Sequence, residues 1–225
     1  MSRPAALLLD VGGVLLLPQA NVIAARLAQW GAQPSGHDDA AVHYRAVAAF
    51  DESGSMDDYR RHYARLVGVR ENLCTVAAES GAFSGPWRSI VPRAAEALRR
   101  LADADLRMVV VSDSDGTVEQ QLREARLAQI GQGPGVSLIG ICDSSHVGVR
   151  KPHARMFESA LMLAAASPDE VVMVGDSLHC DVDGALACGI QPIHVAPLGN
   201  CVRSDHQHVA GINEVVDMLV GARGE

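Results

Sequence analysis

Aromatic side chains are scarce in this chain: Phe, Trp and Tyr make up 4% of its 225 residues. That shortage excludes a surface built to stack bases, and no run of basic residues interleaved with aromatics offsets it. Positive charge is in deficit as well. Lys and Arg number 19 against 27 Asp and Glu, a formal charge of −8, so nucleic acid and anionic membrane surfaces are poor partners. Cys74, Cys142, Cys180, Cys188 and Cys201 are scattered, odd in number and form no Cys-x-x-Cys pair. This usage predicts a reduced, cytoplasmic protein with neither a disulfide framework nor a zinc site. No apolar run reaches membrane-spanning length. The apolar N-terminus with its one Arg imitates a weak signal peptide, but Asp10 interrupts it and no small-residue cleavage site follows.

What the chain does have is alternation. Short apolar runs recur at 5–9, Met108–Val111, Ser137–Ile141, Val171–Val174 and Ile193–Val195. Helical patterns lie between them. Pro92 opens one, with Ala95, Leu98 and Ala102 on a face; Val118, Leu122 and Ala125 mark another. Met156, Ala160 and Ala164, beside Phe157 and Leu161, mark a third after Pro152, and Ile212, Val215, Val216 and Leu219 predict a packing helix near the end. Near-continuous apolar strands alternating with helices predict an α/β fold with a parallel sheet covered on both faces.

Residues 18–90 break the alternation and read as helices only. Ile23, Leu27 and Trp30 share a face before Gly31; Val42, Ala46, Ala49 and Phe50 form a second stripe. Ser55 and Asp58 resemble a capping box ahead of Tyr59, Tyr63, Leu66 and Val67. An all-helical insert at 18–90, between core segments 1–17 and 91–225, is expected to act as a lid over the first strand's end. The Gly131–Gly135 segment follows a helix in this reading, so it is a loop and not a dinucleotide fingerprint.

Chemistry-bearing residues fall at strand ends. Asp10 closes the first apolar run and is followed by Val11, Gly12 and Gly13. A carboxylate there stands at the edge where α/β sheets bind ligands, and it is costly among apolar neighbours unless its charge is used. A metal ion, a hydrogen-bonded network or nucleophilic attack would use it. Ser112 and Asp113 end the second run, and a hydroxyl there can bond an anionic oxygen. Lys151 precedes Pro152, extended and just ahead of a helix start, where a cation beside helix amides suits phosphate. Gly175 and Asp176 end the fourth run, with Asp181 and Asp183 beyond. Asp10 and Asp176 could meet at one hard cation of the magnesium type. Singly, Ser112 reads as a turn residue, Lys151 as a surface charge, Asp176 as a helix cap and Asp181 as a solvated helix residue. In order, at equivalent edges, they read as a site.

Four segments carry a specific resemblance: Leu9-Asp10-Val11-Gly12-Gly13-Val14-Leu15, Val110-Val111-Ser112-Asp113, Gly148-Val149-Arg150-Lys151-Pro152, and Val174-Gly175-Asp176-Ser177 with Asp181. In them the chain resembles the haloacid dehalogenase-like hydrolase superfamily over almost its whole length. The resemblance implies a Rossmann-like core with a helical cap inserted after the first strand. It implies phosphoryl transfer from a small phosphorylated metabolite to Asp10, with Mg2+ held by Asp10, the Gly12 carbonyl and Asp176 and supported by Asp181. Ser112, Asp113 and Lys151 would line the substrate side, with Lys151 stabilising charge in the transition state.

The chain departs from that pattern at Gly12. Phosphatases of this kind carry a second aspartate there as general acid and base, and its absence costs on the order of 10²–10⁴ in rate. Four explanations stand. The leaving group needs little protonation, as in an acyl or aryl phosphate; His179 or His43 substitutes; the reaction is that of a 2-haloacid dehalogenase, whose halide leaves without a proton; or catalysis is lost and a binding or regulatory module remains. Asp176 and Asp181 favour a cation, and so phosphate, over halide. Asp113, where the family often has Asn, sets a further carboxylate near the substrate. Cap specificity is expected among Arg45, Tyr59, His62 and Tyr63. Oligomeric state is not legible.

Overall fold

The computed structural model describes residues 3–85 and 87–221. The chain divides into two compact units, Met1–Leu15 with Ile90–Glu225, and Leu16–Ser89. In chain order the strands are β1 (Ala6–Leu9), β2 (Leu16–Pro18), β3 (Trp87–Ile90), β4 (Arg107–Ser112), β5 (Ala128–Ile130), β6 (Val136–Leu138), β7 (Gly140–Asp143), β8 (Val171–Gly175), β9 (Gln191–Val195) and β10 (Gln207–Val209). The α-helices are α1 (Ala20–Arg26), α2 (Asp39–Ser53), α3 (Met56–Leu66), α4 (Cys74–Ala78), α5 (Ala94–Asp103), α6 (Val118–Glu124), α7 (Ser144–Val147), α8 (Ala154–Ala164), α9 (Gly184–Ala187) and α10 (Ile212–Val220).

The first unit is built on a six-stranded sheet ordered β10-β9-β8-β1-β4-β7, with every neighbouring pair parallel. β1 lies between β8 and β4, Ala6 opposite both Val171 and Arg107. All four of its residues are fully buried, which is why Ala6-Leu7-Leu8-Leu9 shows no polar alternation. Leu8, Val109, Val111 and Met173 pack with Met156, Phe157, Ala160 and Ala164 of α8. The chain steps from β1 through β4 to β7, then crosses back to β8 and leaves by β9 and β10. The direction of winding therefore reverses between β1 and β8.

Three details of the sequence reading are corrected here. The run 137–141 is not one strand: β6 pairs with β5 in a separate ribbon and β7 joins the main sheet beside β4. One apolar run serves two sheets. The Gly131–Gly135 segment follows strand β5 rather than a helix, and it is a loop for a different reason. Gln129 is almost fully buried at its centre; its amide donates to the carbonyls of Gly131, Gly135 and Val136 and accepts from the Gly135 N–H at 2.9 Å. A Cβ at Gly133 would lie 2.6 Å from Gln129 Cδ, and one at Gly135 2.4 Å from the Leu127 carbonyl carbon. The glycines let the chain close around one carboxamide. Last, α5 buries Ala94, Ala97, Leu98 and Leu101 rather than Ala95 and Ala102, because alanines on several faces make its stripe ambiguous. Arg100, on that buried face, bonds the Gly221 carbonyl and Asp217 at 2.8 Å each, tying α5 to α10.

The second unit holds α1 to α4, but it is not helical throughout. β2 and β3 pair as a short ribbon. Trp87-Arg88-Ser89-Ile90 alternates half-buried with exposed residues and has no apolar run to announce a strand. Tyr63 is fully buried, packed against Tyr59 and Phe83; Tyr59 is buried too, and its hydroxyl lies 3.0 Å from His43 Nδ1. The tyrosine stripe is therefore core. His43 is enclosed by the rings of Tyr44, Tyr59 and Trp87, and burial pushes its pKa down to about 3. Burial disfavours the imidazolium form that a general acid would need. Arg45 is exposed and His62 half-buried. No helix among the described residues is long and apolar enough to cross a membrane.

Candidate active site

Ligand sites in open α/β sheets lie beyond the strand carboxyl ends where the winding reverses, which here means the ends of β1 and β8. Leu9 is opposite Val174, and the next amide, that of Asp10, donates to the Val174 carbonyl at 2.9 Å. Asp10 is thereby set beside the strand that runs out into Gly175 and Asp176. Beyond it the chain forms a π-helical turn, Leu178–Asp183, started by Ser177, whose hydroxyl accepts from the Cys180 N–H at 3.0 Å. Turns of this kind are wider than an α-helix and recur at functional sites. This one carries Asp181 back under Gly175. A Cβ on Gly175 would stand 2.2 Å from Asp181 Cγ, so only glycine leaves room for that carboxylate. Asp10, Asp176 and Asp181, all buried, each offer an oxygen within 4.8 Å of the others.

Lys151 joins the acids. Its Nζ lies 2.7 Å from Asp10 Oδ1 and 2.6 Å from Asp181 Oδ1. Its backbone is clamped as well: the N–H donates to Asp113 Oδ1 at 3.0 Å, and the Cys180 thiol donates to the carbonyl at 3.5 Å. The Lys151–Pro152 peptide bond is cis. Asp181 Oδ2 accepts from the Ser177 N–H at 3.1 Å, so both oxygens of Asp181 already have protein partners. Asp113, expected on the substrate side, has one oxygen engaged in holding Lys151.

The charges do not balance. Burial raises the Asp10 carboxyl well above the usual range; Lys151 opposes that rise, while Asp181 and Asp176 add to it. Burial disfavours the Lys151 ammonium, yet Asp10, Asp181 and Asp113 together hold its pKa well above the ordinary lysine value. Burial likewise raises Asp113. The ammonium contacts Asp10 and Asp181, with Asp113 and Asp176 close by, so carboxyl groups outnumber cations in the cluster. Its donors are hard oxygens, the set that suits a divalent cation of the magnesium type.

Of the remaining expected residues, Ser112 ends β4, buried, one register step beyond Asp10. Gly12 lies two residues past Asp10 and is half-buried. His179 is half-buried within the π-helical turn. Two residues near the site escaped the sequence reading. Asp143 ends β7 opposite Ser112; it accepts from the Gly116 N–H at 3.0 Å and from the Ser145 N–H at 2.9 Å, shaping the loop that follows Asp113. The run Cys142-Asp143-Ser144 repeats the acid-at-strand-end pattern and could have flagged it. His194 on β9 lies 3.1 Å, through Nε2, from the Asp176 carbonyl oxygen; nothing in its sequence neighbourhood signals that.

A family model described as haloacid dehalogenase-like hydrolase matches residues 4–189. Among curated proteins, the mouse (Mus musculus) haloacid dehalogenase-like hydrolase domain-containing protein 3 is 33% identical over 63% of this chain and 57% of its own. The ribulose-1,5-bisphosphate 5-phosphatase of Halopiger xanaduensis is 27% identical over 61% of this chain and 55% of its own. The chain spans about half the length of such curated relatives. Among solved structures, the magnesium-bound putative hydrolase YfnB of Bacillus subtilis superposes with a TM-score of 0.64 at 18% identity, over 97% of this chain and all of its own.

Proposed function

The chain belongs to the haloacid dehalogenase-like hydrolase family, and on that premise we propose that it is a Mg2+-dependent phosphatase of a small phosphorylated metabolite, with Asp10 as nucleophile. One observation carries this reading: the buried meeting of Asp10, Asp176 and Asp181 with Lys151 at the reversal point of the sheet. Relatives named as phosphatases and a magnesium-bound structural neighbour support it.

Asp10, Asp176 and the Gly12 carbonyl would hold the magnesium ion, with Asp181 set behind them by its bonds to Lys151 and Ser177. When bound, the ion neutralises and orients phosphoryl oxygens. Lys151 holds Asp10 Oδ1, which leaves Oδ2 as the attacking atom. As the bond from Oδ2 to phosphorus forms, the bond to the leaving oxygen breaks and its electron pair departs with that oxygen. The Lys151 ammonium and the Ser112 hydroxyl donate to the phosphoryl oxygens, where negative charge gathers. Water then attacks the aspartyl phosphate, releasing phosphate and restoring the carboxylate.

Gly12 supplies no proton to the leaving group, and burial disfavours the protonated form of His43. Substrates whose leaving group is already acidic, such as acyl and aryl phosphates, fit this site better than alkyl esters. Phosphate release from acetyl phosphate and p-nitrophenyl phosphate is expected with Mg2+ and lost in EDTA. Halide release from chloroacetate that ignores EDTA would instead assign a dehalogenase, and silence on all three substrates a binding module.

Gly12→Asp follows as a second test. Restoring the acid is expected to raise turnover of alkyl phosphates by about 10²-fold or more, within the usual contribution of general acid catalysis, and to change p-nitrophenyl phosphate turnover little. No gain, with Mg2+ binding intact, would show that proton donation is not what limits the enzyme.

A further inference from the structure

Four side chains that the proposed chemistry leaves unused converge where β9 and β10 form the end of the sheet. His194 and His208 are cross-strand partners. His206 precedes His208 by two residues, the spacing that returns a strand to the same face. The connection between the strands carries Cys201. Each of the four offers one donor atom within 4.8 Å of the others; His206 Nε2 lies 3.8 Å from Cys201 Sγ, and the His206 and His208 ring centres are 4.4 Å apart.

Hydrogen bonds decide which nitrogen two of these rings present. The Asp176 carbonyl can only accept, so His194 Nε2 carries the hydrogen in that contact and Nδ1 is left as a bare lone pair. That Nδ1 is buried without a hydrogen-bond partner, on a residue only 5% exposed. A buried acceptor left unmatched is costly, which calls for a ligand. In His206, Nδ1 lies 2.8 Å from Asp205 Oδ1, so the hydrogen sits there and Nε2 turns a lone pair toward Cys201. Asp205 is itself gripped by Arg203 at 2.7 Å. A carboxylate behind a histidine is the usual support for a metal-bound imidazole.

From this geometry we infer a binding site for a divalent transition metal of the zinc class, with His194 Nδ1, His206 Nε2, Cys201 Sγ and His208 as its ligands. Nitrogen and sulfur donors select such an ion and reject magnesium. Bonds of about 2.0–2.3 Å around a tetrahedral ion set ligand atoms about 3.5 Å apart, a modest contraction of the cluster. The Cys201 thiol loses its proton to solvent as the metal–sulfur bond forms. The ligands come from two strands and a connection, with no Cys-x-x-Cys spacing, which is why the cysteine pattern argued against a zinc site. The ion would pin the connection 196–206 and steady the Asp176 carbonyl through His194. A second tie runs the same way, from Arg203 to Asp183 at 2.7 Å, at the end of the turn that holds Asp181.

The test uses the full chain without an affinity tag, loaded with zinc and then passed through excess Mg2+. One zinc per chain is expected by elemental analysis, retained by Asp10→Asn and lost from the double variant Cys201→Ser/His206→Ala. Cobalt loading of the unaltered chain should give intense visible bands and a thiolate-to-cobalt charge-transfer band, the latter missing in Cys201→Ser. Failure of the unaltered chain to retain zinc, equal retention by a folded double variant, or a weak octahedral cobalt spectrum without charge transfer would each overturn the site. The cobalt spectrum decides the matter even if the double variant does not fold.

Discussion

Asp10→Asn is expected to lower phosphate release by on the order of 10⁴–10⁶, the scale on which removal of a nucleophile acts, while leaving the fold intact. The amide keeps the shape of the carboxylate. Burial and two neighbouring acids already make ionised Asp10 costly in the folded chain. A folded-state pKa raised above the unfolded value means that, at neutral pH without metal, the charge opposes folding. The variant should therefore melt at or above the temperature of the parent in EDTA. Turnover measured beside thermal unfolding separates the two effects. Activity well above the uncatalysed rate in a folded Asn variant would remove Asp10 from the role of nucleophile.

Lys151→Met carries the opposite sign for stability. It deletes the ammonium that sits within 2.7 Å of both Asp10 and Asp181 and leaves two buried carboxylates facing each other. Breaking a buried ion pair from one side costs about 3–5 kcal/mol, and denaturant unfolding in EDTA should show a loss of that order. Activity should fall by about 10²–10³, as when one charge-stabilising donor is removed. Adding Asp10→Asn to the variant should return part of the lost stability, since the two side chains interact directly. An unchanged unfolding midpoint would mean that the acids are neutral in the native chain and that Lys151 does not balance them.

The sheet was readable because both faces of its central strands are buried. Ala6–Leu9, Met108–Val111 and Val171–Val174 are apolar without alternation, and each is followed by the polar residues of its strand end. The short ribbons were not readable. Trp87–Ile90 and Ala128–Ile130 are brief and mixed in polarity, and the first of them pairs only with the remote Leu16–Pro18. At the site, Asp10, Lys151 and Asp176 stand in recognisable surroundings. The contacts that place them are less legible: the Asp113 contact to the Lys151 amide and the His194 contact to Asp176 join residues well separated in sequence, and the gap at Gly175 that admits Asp181 opens only because the turn after it is π-helical. The histidine cluster escaped for the same reason, since His194 and His208 become neighbours only through the pairing of β9 with β10.

The pairing of Ala6 with Val171 has a consequence for synthesis. A nascent chain that has emerged only as far as β7 already holds Asp10 and the β4 strand that pairs beside it, but neither Lys151 nor Asp176. Asp10 meets Asp176 and Asp181 only after β8 slots in against the first strand, and contacts between such distant segments form slowly because a long loop must close first. Hydrolytic competence would then arrive late and all at once, making the onset of turnover a direct clock for completion of the central strands.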